Sequence, residues 1–195
     1  MSEWWSYRPS DFLMFSARTW GRLLEGWNQA LWPWQVPIVA AGVGLLLLAW
    51  RNPVRARVPS MLALAAAWAW VGWAFHWERF ADINTGARWF AVAFGVQATL
   101  LVALGLRPST PPPGGTLRLP GLALASLALL CPLLAPLTGR SWGQAETAGA
   151  MPDPTALFTV GLLLALPQRH RGLLLAIPLL ALLVGWTTAW LLWVG

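Results

Sequence analysis

The sequence contains no lysine, one cysteine and only seven carboxylates, and charged residues of either sign make up 10% of its 195 positions. A soluble domain carries about 25%. So few charges cannot coat a soluble surface of this size, which excludes an ordinary water-facing globule and points to an integral membrane protein. The lone Cys131 excludes an intrachain disulfide and any multi-cysteine metal site. Its apolar surroundings predict a small buried packing residue. A Gly-rich phosphate loop, a GxSxG elbow and an HExxH pair are all missing. The net charge is +6, yet the thirteen arginines fall in short scattered runs and form no basic stripe, so no nucleic-acid face is expected. The opening "MSEWWSYRPSDF" lacks the basic start and apolar core of a signal peptide. The first apolar span is therefore expected to direct insertion itself.

What is present is apolar length: 57% of the residues are hydrophobic. A membrane span needs about 20 apolar residues. Six candidate segments appear, at 35–50, 60–77, 89–106, 119–138, 155–168 and 173–194, the first and fifth being short. They predict one all-α polytopic bundle of about six transmembrane helices. Arginine sets its orientation. Arg51, Arg55 and Arg57, then Arg107 and Arg118, then Arg169 and Arg171 occupy three alternate loops without a carboxylate. Those loops are expected to be cytoplasmic. All seven acids (Glu3, Asp11, Glu25, Glu78, Asp82, Glu146 and Asp153) lie in the other segments, which places both termini outside. All but Trp50, Trp68 and Trp70 of the sixteen tryptophans fall on or near that outer side, whereas an ordinary aromatic belt occupies both interfaces.

Before the first span, residues 10–32 read as an amphipathic helix. Phe12, Phe15, Trp20, Leu23, Leu24, Trp27 and Leu31 recur at steps of three and four. Ser10 or Ser16 can cap it, and Pro33 ends it. The expected organisation is an extracytoplasmic interfacial helix over 1–34 and a single six-helix bundle over 35–195. "PPPGG" at 111–115 is expected to form a flexible loop between two three-span halves. Pro132, Pro136 and Pro178 are candidate kinks.

Chemistry concentrates at the outer ends. "FHWERFADIN" (75–84) puts His76, Glu78, Arg79 and Asp82 within seven positions after a charge-free run. Trp70, Trp73, Trp77 and Phe80 share one helical face by spacing, with His76 beside them. A charged helix end with an aromatic anchor is the plain reading. The sharper one is a site entered from outside, where carboxylate over aromatic faces suits an organic cation. His76 with Glu78 is too little for a metal site. "GRSWGQAETAGAMPDPT" (139–155) adds Arg140, Trp142, Gln144 and Glu146 on the same side. Arg79–Glu146 or Arg140–Glu78 pairs across loops are expected. Asp153 before Pro154 reads as a helix N-cap. Gln97 sits mid-span, either lining a path or bonding between helices.

The segments "MSEWWSYRPSDFLMFSARTW", "LLEGWNQALWPWQ", "WAFHWERFADIN" and "PLLAPLTGRSWGQAETAGAMPDPTALFTVGLLL" resemble a bacterial family of multi-span membrane proteins known as a domain of unknown function, some members of which carry the label permease. Trp27 stands where the related "YNxxxWP" element has Tyr. The resemblance covers nearly the whole chain and implies a bacterial cytoplasmic membrane location. It implies no activity.

The candidate ligand-binding residues are thus Trp73, His76, Trp77, Glu78, Arg79, Gln97, Trp142 and Glu146. The leading expectation is binding or transport of a small molecule or ion, with the lipid bilayer as the other partner and no cofactor named by the residues. One alternative is a membrane-embedded enzyme acting on a lipid-linked substrate, with His76 and Glu78 or Glu146 as acid and base. Another is a structural or assembly subunit whose Trp-rich outer face docks a partner or a second copy.

Overall fold

The computed structural model describes residues 13–108 and 117–193. Ser10, Phe12, Glu3, Asp11 and the PPPGG loop lie outside the described residues. Regular structure among the described residues is entirely helical. Each expected apolar segment is a helix. The bundle helices are α2 (Gln35–Arg51), α3 (Pro53–Trp70), α4 (Ala87–Ala103), α5 (Arg118–Leu130), the four-residue α6 (Leu134–Leu137), α7 (Pro152–Ala165) and α8 (Arg171–Trp193), preceded by α1 (Ala17–Leu31). Three stretches are long and apolar enough to cross a membrane: Pro53–Asp82, Arg118–Leu137 and Arg171–Leu192. α1 and α2 qualify only as a pair, and the pair is bent by 87°, while α4 and α7 are shorter apolar helices.

The local chemistry accounts for the boundaries. Ser16 caps α1, its hydroxyl accepting from the Thr19 amide at 3.2 Å, and the chain turns at Trp32–Pro33. One face of α1, formed by Leu24, Trp27, Asn28 and Leu31, is buried. α5 gives way at Cys131–Leu133 to a tighter 3-10 turn before α6, at the point where Pro132 has no amide to donate. Cys131, the first residue of that turn, is half-buried, not enclosed as expected. α7 begins at Pro152, so Asp153 lies in its first turn and Met151 is the cap. The expected N-cap role of Asp153 is thereby corrected. Proline is favoured at a first helical position, where an amide would be unbonded anyway, and Pro152 takes it before Pro154 can.

α7 is buried on nearly every side, as an all-apolar helix at the centre of a bundle should be. It meets α5 backbone to backbone. A methyl on Gly121 would reach the Ala165 amide at 2.6 Å and the Gly161 carbonyl at 2.6 Å, and one on Gly161 would run into the Ala125 amide. Gly121 and Ala125 thus face Gly161 and Ala165, a four-residue spacing of small side chains on both helices.

The arginine loops gather at one end, and their side chains close helix C-termini. Arg57 donates to the carbonyls of Gly105 at 2.6 Å and Arg107 at 2.7 Å, just past α4. Arg171 donates to Leu163 at 2.9 Å and Leu166 at 3.1 Å, at the end of α7. Arg118 donates to Trp50 at the end of α2. The carbonyls there lack intrahelical donors, and the helix dipole favours a cation.

Candidate functional site

The opposite end of the bundle holds the charges of 76–84 and 139–153. α3 continues as a π-helix over Val71–Trp77, with the Glu78 amide reaching back to the Trp73 carbonyl at 3.1 Å. The wider turn changes which side chains share a face. Trp73 and Trp77 stack, with centroids 6.3 Å apart and planes 6° off parallel, and are 60% and 42% exposed. His76 turns inward instead. It packs among Phe75, Phe80, Phe90 and Phe94, the last edge-on at 4.5 Å. Its ring is buried, and among the described residues neither nitrogen has a hydrogen-bond partner. The expectation that His76 lies beside the tryptophans on one face is corrected: the π-turn separates them.

His76 faces a cavity of about 550 Å³, within the usual range for ligand pockets. Phe80, Phe90 and Phe94 form one wall, α8 from Ile177 to Leu192 another, and Phe15, Trp20 and Leu24 of the α1 region a third. The polar groups on it include His76, Asn84, Arg140, Glu146 and Asp153. Arg140 pairs with Glu146 at 3.0 Å. This replaces the expected Arg79–Glu146 and Arg140–Glu78 pairs, because six residues of one loop bring the partners together more directly than two loops do. The Asp153 carboxylate lies against Gly185 of α8, where any side chain would overlap it. No hydrogen bond or ion pair holds Asp153 among the described residues.

The remaining expected site residues go elsewhere. Trp73, Glu78 and Arg79 line a second hollow of about 1120 Å³ between α2 and α3, and the Arg79 guanidinium sits 5.5 Å from the Trp27 ring centroid. Trp77 carries the Arg88 guanidinium at 5.5 Å. Trp142 is 63% exposed and lines neither hollow. Gln97 is fully buried and donates to the Leu174 carbonyl at 2.9 Å. Asp153, Asn84 and Gly185 were not among the expected site residues. Asp153 had a sufficient explanation as a cap, and nothing in an apolar stretch marks Gly185 as the seat of a carboxylate. Among the described residues no three His, Cys, Asp or Glu side chains gather as a metal site. His76 and Glu78 diverge, one inward and one exposed.

α1 closes this end. Asn28 donates to the carbonyls of Gly143 at 2.6 Å and Ala145 at 2.9 Å, and the Trp27 indole N–H donates to Ala150 at 3.1 Å. Glu25 accepts from Gln144 at 2.9 Å and Ser141 at 3.0 Å, and these bonds hold its carboxyl below the usual range.

The chain belongs to a family of unknown function, DUF6064, which matches residues 18–194. No curated protein and no solved structure matches it.

Proposed function

We propose that the chain is an integral membrane protein of six spans, with α1 along the outer interface, that binds and transports a small organic cation through the cavity at His76 and Asp153. The membrane reading is supported by the exposed apolar side chains around the bundle, such as Val43, Leu47, Val96, Leu179, Leu183 and Trp190. A belt of this kind has no place on a soluble monomer. The separation of arginine loops from carboxylate segments gives its sense.

One observation carries the ligand class. Arg140 pairs with Glu146, and Asp153 adds a second carboxylate to the same cavity without a counter-charge of its own among the described residues. Burying an unpaired carboxylate is costly. A bound ammonium group removes that cost, and the Phe80, Phe90 and Phe94 rings accommodate both its charge and its apolar body. His76 offers a ring nitrogen as acceptor for an N–H of the same group.

The test uses phenethylammonium against its neutral analogue phenethyl alcohol, with thermal unfolding of the detergent-extracted protein as the readout. At about 100 times Kd a ligand adds about 2.7 kcal/mol, a rise of roughly 5–10 °C for a chain of this size. We expect that rise with the amine, little with the alcohol, and loss of the difference in Asp153→Asn. Equal shifts from both compounds, or an undiminished amine shift in Asp153→Asn, overturn the cation assignment.

A further inference from the structure

The second hollow is a groove with a different character. Its lower part is made by Ala41, Gly42 and Leu45 of α2 and Ala63, Ala66 and Ala67 of α3. Leu129 and Phe158 form its floor, the Leu129 side chain lying 2.8 Å from where a methyl on Gly42 would be. Among the described residues the one hydroxyl in the lining, on Thr155, is already bonded to the Met151 carbonyl and the Gly149 amide. The groove therefore offers an occupant only apolar contact along its length. From Trp34 to Leu45 it follows α2 for roughly 16 Å, at 1.5 Å per residue. That is about the depth of one leaflet of a hydrocarbon core roughly 30 Å thick.

Its mouth is polar and aromatic. Trp34, Trp70 and Trp73 are exposed around it, the side chain type that settles at head-group level. Arg79 and Glu78 stand there side by side. Neither makes an ion pair among the described residues, and the Arg79 guanidinium is steadied over the Trp27 ring. A cation and an anion, adjacent and unpaired, above a narrow apolar channel of leaflet depth complement a zwitterionic head group on an acyl chain. A guanidinium suits a phosphate, and a carboxylate suits an ammonium.

We propose that this groove seats one acyl chain of an outer-leaflet zwitterionic phospholipid, with the phosphate on Arg79 and the head-group ammonium on Glu78. This rests on the membrane reading above, but not on the cation cavity. The small residues of α2 and α3 are what make room for the chain, so a larger side chain at Ala66, which is itself exposed, occupies the seat without disturbing the core.

The experiment starts with carbonate-washed membranes. Protein released by carbonate refutes the membrane-spanning reading before any lipid is considered. Protein that stays is extracted in mild detergent, delipidated and titrated with dioleoyl phosphatidylethanolamine under native mass spectrometry. Arg79→Gln, Ala66→Phe and, as a control outside the groove, Trp142→Phe are run beside it. The expected result is one lipid per chain in the wild type and the control, with affinity at least about tenfold lower in Arg79→Gln and Ala66→Phe. Circular dichroism checks that each variant is folded. No bound lipid in the wild type, or equal affinity in all four proteins, overturns the proposal. So does a wild-type dimer that either groove variant splits, since the groove would then hold a second copy of the chain.

Discussion

A single amide shows how an orphaned helix carbonyl is answered. Pro178 lies inside α8 and has no N–H to give the carbonyl four residues back, that of Leu174. The Gln97 side chain of α4 donates to that carbonyl at 2.9 Å. Pro167 likewise leaves Leu163 without a helical donor, and Arg171 supplies one. Gln97 is thus glue, and its position is dictated by a proline on another helix. Gln97→Leu should cost about 1–3 kcal/mol, the usual range for orphaning a buried polar group. In a Pro178→Ala background the α8 backbone supplies its own donor, so the loss should shrink by about 1 kcal/mol or more. A double-mutant cycle on thermal unfolding measures the coupling, and strictly additive losses contradict this account. Gln97 and Pro178 were each conspicuous in the sequence as a buried amide and a candidate kink. That one answers the other was not, because they lie on helices far apart along the chain.

At the level of elements, the contact between α5 and α7 is the tightest test of the packing. Gly161 has no room for a methyl beside the Ala125 backbone, whereas Gly44 on the exposed side of α2 has nothing within 4 Å. Gly161→Ala should therefore lower the melting temperature by several degrees, through overpacking of about 1–3 kcal/mol. Gly44→Ala should raise it slightly, by about 0.4–1 kcal/mol from unfolded-state entropy. The same substitution is thus expected to have opposite signs at two helical glycines, and equal effects would mean that α5 and α7 are not in backbone contact. Six helical segments were legible from apolar length, and the cap at Ser16 and the stop at Pro33 from local chemistry. The π-turn was not legible. Its sequence, Val71–Trp77, is compatible with an α-helix, and the rings it packs against, Trp20 and Trp27 of α1 and Phe94 of α4, come from segments distant in sequence.

Across the whole molecule, the two ends differ in kind. The arginine end is structural, with Arg57, Arg118 and Arg171 each closing a helix C-terminus. The other end carries both hollows, the α1 cover and the carboxylates. If the proposed six-span arrangement holds, these ends lie on opposite sides of a membrane. With Cys131 replaced by Ala, a cysteine at Trp142 should react with a membrane-impermeant maleimide in intact cells. One at His170 should react only after lysis. Labelling of both, or the reverse order, contradicts the arrangement.

Composition and periodicity alone determined that the chain is helical, roughly where its helices lie, and which end gathers the carboxylates. These follow from the scarcity of charge and the length of apolar runs, which are properties of segments read one at a time. Only the tertiary structure decided how the expected site residues divide: His76 and Glu146 line a cavity with Asp153, Trp73, Glu78 and Arg79 line a separate groove, and Trp77, Gln97 and Trp142 line neither. That division depends on helix rotation at the π-turn, on the close approach of α8 at Gly185, and on a loop that lets Arg140 reach Glu146. Rotation and approach are set by packing between distant segments, so no local stretch of sequence carries them.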